Sequence, residues 1–465
     1  MIADLKPYPK MKGSGVEWLG EVPEHWGVRR LKYLLRERDA RSGDGKEQLL
    51  RISQYTGVTE RKRDDGTAGP NTRAESLVGY KRVDPDELVV NIMLAWNGSM
   101  GVSAFSGIAS PAYCVYRFGK SALPWYFHNL LRSAAYKARI KAVSTGIVKS
   151  RLRLYTDDLY RLEGLLPPLT EQTAIVRFLD YVDLRIRRYI SAKQKLIGLL
   201  EEQKQAIIHR TVSCGLDSDV PLKDSGVEGL GEIPEHWEVV RVKRASRILR
   251  GKFTHRPRND PSLYDGPYPF IQTGEVARAM NKITAYRQTL NDRGLAVSKM
   301  FPAGTLVMTI AANIGDVAVL DFEACFPDSI VGFVPQKRTI RDYLYYLFTA
   351  MKPELLREAP VNTQGNLNVD RIGSRRIGIP PVAEQQNIVQ YIEERIRGLN
   401  TAFDHARREI DLLREYRIRL IADVVTGKLD VREVAANLPE EAGSPHESEA
   451  AEEFPAEEIT REFAQ

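Results

Sequence analysis

Residues 14–32 read SGVEWLGEVPEHWGVRRLK, and residues 225–243 read SGVEGLGEIPEHWEVVRVK. Fourteen of these nineteen positions are identical at an offset of 211. A second pair follows downstream: LLPPLTEQTAIV at 165–176 matches GIPPVAEQQNIV at 378–389, at an offset of 213. Each copy then runs through a long helical pattern to a matching end, VSCGLD at 212–217 and VTGKLD at 425–430. Recurrence at a fixed spacing is the signature of a duplicated architecture. The two offsets are nearly equal, so the segments between the motifs, roughly 33–164 and 244–377, have almost the same length. Their sequences are nevertheless unlike. An old duplication with a purely structural result would leave the same frame. Two alike frames holding two unlike domains argue instead for one task performed on two different targets.

The helical patterns share a register. One column runs Leu179, Ile186, Lys193, Leu200, Ile207, and its counterpart runs Ile392, Leu399, Ala406, Leu413, Leu420. Both advance by seven, with Ile190 and Ile197 interleaved in one and Ile396, Phe403, Ile410 and Val424 in the other. This is the stripe of a two-helix coiled coil. The shared register predicts that the helices pair with each other. Antiparallel pairing would create a pseudo-two-fold axis, with one variable domain at each end. A helix of about 40 residues spans roughly 60 Å, on the order of one and a half turns of B-DNA. A plain dimer stalk would show the same stripe. Thr170 is positioned to cap the first helix. Lys193 and Lys204, polar within the stripe, either fix register and partner choice or are simply exposed.

The variable segments read as mixed α/β. Glu87–Met93 and Ala112–Phe118 have the apolar, β-branched character of strands, and Pro124–Ala142 has helical spacing. In the second segment, Gly304–Ile310, Asp316–Leu320 and Ser329–Val334 read as strands and Asp342–Met351 as a helix. Arg61–Arg73 and Arg250–Asp265 are rich in Gly, Asn, Pro and charge, and read as loops.

Composition bounds the function. The 465 residues exceed one compact core. No stretch is apolar enough to cross a bilayer, and the first residues lack a signal-peptide core. Cys114, Cys214 and Cys325 are far apart and form no C-x-x-C pair, so neither a disulfide framework nor a zinc site is expected, and a reducing cytoplasm is. The net charge of +6 hides an asymmetry. Asn437–Gln465 holds nine Glu and one Arg, a net of −8 that leaves +14 on residues 1–436. A body that basic suits a polyanion, because neutralised phosphates release counterions. The acidic stretch, short of aromatics, is expected to be disordered.

Pro167-Pro168-Leu-Thr-Glu171-Gln172, its partner Pro380-Pro381-Val-Ala-Glu384-Gln385, and the helices ending in VSCGLD and VTGKLD resemble the specificity subunits of type I restriction–modification systems. The Gly-Glu-x-Pro-x-His-Trp motif at 20–26 and 231–237 is similar to theirs too. The resemblance covers residues 14 to about 432. It implies an α+β architecture: two mixed α/β target-recognition domains separated by a pair of long antiparallel coiled-coil helices, with a pseudo-two-fold internal repeat. The expected plan is an extension (1–12), a first target-recognition domain (13–169), a central helix (170–213), a linker (214–223), a second domain (224–381), a second helix (382–427) and the acidic tail (428–465).

It further implies that each domain reads one half of a split site on double-stranded DNA. The helices would act as the spacer and dock two adenine-N6 methyltransferase subunits, with motor-nuclease subunits joining for cleavage. S-adenosylmethionine, ATP and Mg²⁺ are then expected on those partners and no cofactor on this chain. The residues agree: there is no G-x-x-x-x-G-K-[ST] phosphate loop, no N-P-P-[YF] or D-P-P-Y motif, no H-E-x-x-H, and no PD…(D/E)-x-K pattern. The chain itself is read as non-catalytic.

Candidate contacts carry alternatives. Ser150, Arg151, Arg153 and Tyr155 align with Thr363, Gln364, Asn366 and Asn368 at the 213 offset, with Leu154 over Leu367. Arg is suited to bidentate contact with guanine, and Gln or Asn to adenine. A polar turn capping its own backbone would use the same residues. Arg61, Lys62, Arg63 and Arg73, and Arg250, Lys252, Arg256 and Arg258 beside Phe253 and His255, could hold phosphates or be merely solvated. His25, Trp26, His236 and Trp237 read better as packing anchors than as DNA contacts. Two competing functions remain: a coiled-coil scaffold whose end domains bind proteins, and an enzyme with built-in specificity.

Overall fold

The computed structural model describes residues 5–61, 76–146, 152–227, 230–358 and 367–439. Two compact units divide the chain: Met1–Lys193 with Arg408–Gln465, and Gln194–Arg407.

In the first unit the sheet is built on Leu88–Asn91, LVVN, buried at all four positions. An apolar, β-branched run with both faces covered is what a central strand requires. The strand order is Leu35–Arg38, Tyr113–Phe118, Leu88–Asn91, Met100–Val102, antiparallel throughout. The second unit centres on Leu306–Thr309, LVMT, likewise fully buried. Its order is Ser246–Arg250, Ile330–Pro335, Leu306–Thr309, Val317–Leu320, with Lys282–Ile283 added in parallel at the edge. Four strands thus keep one order on two unlike sequences. The flanking sheets differ. Two hairpin-like pairs, Leu50–Ser53 with Gly57–Glu60 and Lys81–Val83 with Gly107–Ala109, stand in the first unit. A four-stranded sheet containing Tyr264–Phe270 stands in the second.

The expected helix Pro124–Ala142 is two helices, Pro124–Arg132 and Ala134–Val143. Ser133 breaks it with extended backbone (φ −64°, ψ 156°). The helix expected over Asp342–Met351 extends further, Arg341–Glu358, and accommodates Pro353.

Both lead-in motifs fold alike. Met11–Gly13 pairs with Glu21–Pro23, and Leu222–Asp224 with Glu232–Pro234. The next strand, Gly27–Arg30 or Glu238–Arg241, pairs with Glu163–Leu166 or Arg376–Ile379, the strand just before each Pro-Pro. Each variable domain is therefore closed at its base by its own first and last strands.

The long helices are Leu169–Cys214 and Val382–Val425. The first begins one residue earlier than expected, so Thr170 lies inside the first turn rather than capping it. There the Pro168 carbonyl accepts from the Glu171 and Gln172 N–H groups, both at 2.9 Å. Pairing is antiparallel. In the first unit Arg417 donates to Asp183 and Lys193 meets Glu409 at 2.5 Å, so one number falls as the other rises. In the second unit Glu201, Lys204 and Ile208 line one groove together with Glu393, Arg397 and Asn400. Of the seam residues, Leu179, Ile186, Ile392 and Leu420 are buried, whereas Leu200, Ile207, Leu399 and Leu413 are half-buried. Burial in the second unit comes partly from the domain: Ile208, Val212, Ile388 and Ile392 join Tyr343, Leu347 and Phe348 in one core.

Candidate nucleic-acid interface

What holds each variable domain to its helix is the repeated Glu-Gln. Glu171, 4% exposed, accepts from the Trp26 indole N–H at 2.9 Å and from the Tyr8 hydroxyl at 2.6 Å. Its second oxygen meets His25 Nε2 at 2.7 Å. Glu384 repeats this with Trp237 at 3.1 Å and His236 at 2.7 Å. The neighbouring Gln reaches the other way. Gln172 accepts from the Leu123 N–H at 2.7 Å and donates to the Ser121 and Pro167 carbonyls. Gln385 accepts from the Ile340 N–H at 2.9 Å and donates to Arg338 and Pro380. A buried amide with every polar atom satisfied fixes one geometry. The two Trp rings are thus bound up in packing, whereas His25 and His236 hold the same carboxylates from exposed positions.

The domain surfaces that remain are loops, and one loop pair is equivalent in both units. The central strand Leu88–Asn91 ends in a loop, 92–98, closed by the Asn91 N–H bonding to the Ser99 carbonyl at 3.0 Å. In the second unit Leu306–Thr309 ends in 310–315, closed by Thr309 N–H to Asp316 O at 2.9 Å. Beside each lies the stretch preceding the Pro-Pro strand. The Leu154 N–H bonds to Ile92 O at 2.9 Å, and the Leu367 N–H to Ile310 O at 2.8 Å. Both leucines are buried, at 1% and 4% exposure. The alignment of Leu154 with Leu367 therefore has a physical meaning: each pins the neighbouring loop to the end of a central strand.

Arg153 is exposed next to that pin, and its backbone pairs with Thr145 in both directions at 2.8 and 3.0 Å. Asn368 follows the Leu367 pin, at the place of Tyr155 rather than of Arg153, and its side chain accepts from the Asp370 N–H at 2.8 Å and caps helix Val369–Ser374. Ser150, Arg151, Thr363, Gln364 and Asn366 lie outside the described residues, as do Lys62, Arg63, Arg73 and the acidic stretch from 440 onward. Arg61 is half-buried beside Leu49 and Gln48. Arg250 and Lys252 are exposed. Arg256 and Arg258 both face Asp328, which takes up part of their charge. The structure sets Arg153 just before one loop anchor and Asn368 just after the other, and leaves the other described candidates on other segments of the chain.

Around loop 92–98 it also gathers residues that the sequence reading passed over. Met93 and Leu94 are 41% and 37% exposed at the tip. The Arg132 guanidinium donates to Gly98 O at 3.1 Å, Gln54 O at 3.1 Å and Tyr55 O at 3.0 Å. The Lys141 ammonium sits 5.4 Å from the Trp96 ring centre. Lys137 packs against Gly98, as Lys352 packs against Gly315. Lys352 is paired with Asp316 at 2.5 Å. Ser99 occupies the place of Asp316 in the first unit, and no ion pair involves Lys137 among the described residues. Burial, with Arg132 nearby, pushes the Lys137 ammonium below its ordinary pKa. The available signal was the apolar run Ile92-Met-Leu-Ala-Trp96 followed by Asn97-Gly98, longer than the strand needed.

All three cysteines are free, and burial raises the thiol pKa of Cys114 and Cys325. Among the described residues no group of three His, Cys, Asp or Glu could hold a metal, and no helix is long and apolar enough to cross a membrane.

Residues 234–406 match the family described as "Type I restriction modification DNA specificity domain". Two curated proteins of Methanocaldococcus jannaschii are similar along nearly their whole length. The type I restriction enzyme MjaVIII specificity subunit is 24% identical over 437 residues, covering 88% of this chain and 94% of that protein. One named provisionally as the MjaX specificity subunit is 22% identical over 431 residues, covering 89% and 96%. A chain from a structure described as "Structural basis underlying complex assembly and conformational transition of the type I R-M system" superposes with a TM-score of 0.65. It is 17% identical and covers 88% of this chain and 99% of its own.

Proposed function

We propose, from the premise that this chain carries the type I restriction–modification DNA specificity domain and matches specificity subunits over most of its length, that it reads a bipartite DNA site. Each target-recognition domain takes one half-site, and partner subunits perform adenine-N6 methylation and cleavage. The observation that carries this reading is the pair of unlike domains on one strand order, with their variable loops pinned at equivalent strand ends. A common scaffold with exchanged loops is how one recognition task is retargeted.

The chain contributes recognition and positioning, not chemistry. Two methyltransferase subunits would dock on the helices and supply the S-adenosylmethionine site, and motor-nuclease subunits would supply those for ATP and Mg²⁺. Arg153, Arg250 and Lys252 are offered to DNA as exposed cations with no carboxylate partner among the described residues, whereas Arg256 and Arg258 are exposed but face Asp328.

Methylome sequencing of cells with the neighbouring methyltransferase, with and without this chain, tests the reading. Loss of one bipartite N6-methyladenine motif is expected in its absence. Replacing residues 33–164 with those of another specificity subunit should change only one half of the motif. If no methylated motif depends on the chain, the reading fails and a protein-binding scaffold takes its place.

A further inference from the structure

The tip of loop 92–98 is built to stay where it is. Ala95 is fully buried beneath it. The Met93 N–H donates to Asn91 Oδ1 at 3.2 Å, and the Trp96 indole N–H donates to Met93 O at 3.2 Å. Asn97 Oδ1 accepts from both the Ser99 N–H and its hydroxyl, at 3.2 and 2.9 Å. Gly98, at φ 96°, turns the chain back in the left-handed region. Two adjacent large apolar side chains, Met93 and Leu94, are therefore held out into solvent by a braced loop. A scattered exposed leucine means little, but the loop that carries this pair has cations packed along its Trp96–Gly98 side. Lys137 and Lys141 come from helix Ala134–Val143, Arg132 from the helix before it, and Arg153 flanks the loop through Leu154. Neither Lys137 nor Lys141 has a carboxylate partner among the described residues. An apolar tip on a loop flanked by cations matches a base stack between two phosphate rows.

We propose that Met93 and Leu94 form a wedge that enters the base stack of the half-site read by the first target-recognition domain. This rests on the function proposed above and adds the manner of reading. Met and Leu are among the side chains that part a base step and bend the duplex. Lys137, Lys141 and Arg153 take the flanking phosphates. The gain is chemical: adenine-N6 transfer requires the target base out of its stack, and a parted step lowers the cost of extruding it. The device belongs to one half-site. At the equivalent positions after Ile310 stand Ala311 and Ala312, too short to reach between bases, and Lys352 beside them is already paired with Asp316.

The test uses the chain assembled with its methyltransferase subunits, and duplexes carrying the motif found by methylome mapping. 2-Aminopurine is placed singly at each step of both half-sites except at the methylated adenines and the bases beside them, whose unstacking on extrusion is common to both halves. Binding should raise its fluorescence by about threefold or more at one step of the first half-site and at none of the second. Met93→Ala with Leu94→Ala should abolish that rise and weaken specific binding by roughly 10- to 100-fold. Its affinity for unrelated duplex, set by phosphate contacts, should stay within about twofold. Met93→Leu should keep the rise, which separates the wedge from a folding defect. Selective binding without any rise in the first half-site, or an equal rise in both, overturns the wedge alone. Absence of selective binding overturns the function proposed above and the wedge with it.

Discussion

Trp26 and Glu171, far apart in sequence, meet through an indole N–H to carboxylate hydrogen bond of 2.9 Å, and both side chains are buried. Trp237 and Glu384 repeat the contact at 3.1 Å. The two copies are not equal. Tyr8 adds a third donor to Glu171, and Arg432 lies 5.2 Å from the Tyr8 ring. Asp430 bonds to Arg432 and bridges to Lys6 through the backbone. In the first unit the carboxylate therefore gathers residues from both ends of the chain. In the second unit the continuous stretch after Cys214 does this work, and Gly215 packs directly against Glu384.

That inequality predicts an order of stabilities. Glu171→Ala leaves the buried Trp26 and Tyr8 donors facing a void and His25 without its acceptor, and should cost about 2–4 kcal/mol. Glu384, more exposed and with two partners, should cost roughly half as much on the same change. Thermal unfolding of the two variants decides it. Equal losses, or the larger loss at Glu384, would contradict the ranking.

Gly427 offers a second test. Its φ is 78°, and an added Cβ would stand 2.4 Å from Pro23 Cδ and 3.0 Å from the Trp26 ring. Left-handed backbone alone costs a non-glycine residue on the order of 1 kcal/mol or more, and the overlap with a buried ring adds to it. Gly427→Ala should lower the Tm clearly. Gly13, with nothing near its Cβ position and no left-handed φ, is the control expected to change Tm little when replaced by Ala.

The repeat and the long helices were legible because each rests on local periodicity or on identity at a fixed offset, whereas their antiparallel pairing was an expectation carried by the resemblance. So were the central strands, since LVV at 88–90 and LVM at 306–308 are short apolar runs bounded by turns. The common strand order was not legible. Leu35–Arg38 pairs with Tyr113–Phe118 across several intervening strands, and nothing in the local pattern of LRER specifies that partner. The Ser133 break was hidden because its flanks continue the helical spacing. The site was less legible still. Asn368 reads alike as base reader or helix cap, and hydrogen-bond geometry alone distinguishes them. The cations flanking loop 92–98 come from two helices and from the stretch around Leu154, and no linear motif records them.

The loop anchors should separate the half-sites. Leu367→Ala removes a buried side chain that fixes the loop beside Ile310, at a cost of about 2–5 kcal/mol. Leu154→Ala does the same beside Ile92. Each variant, assembled with its methyltransferase, should lose discrimination at one half-site while the other is read as before. Competition binding against duplexes mutated in one half or the other measures this. A Leu367→Ala variant that relaxes both halves equally would argue against independent reading.

The contrast between Lys137 and Lys352 yields a last expectation, read by salt titration. Each phosphate neutralised by a cation contributes about 0.9 to the slope of log affinity against log salt. Lys141→Ala and Arg153→Ala should each reduce that slope by about one and weaken binding to specific and unrelated duplex alike. Asp316→Asn should act oppositely, because it frees the Lys352 ammonium now held at 2.5 Å. The slope should then steepen by about one, with tighter binding at low salt and little change at high salt. A variant at Asp316 that leaves the slope unmoved would mean that Lys352 does not face the phosphates. The loop 310–315 would then approach DNA from another side than its counterpart in the first domain.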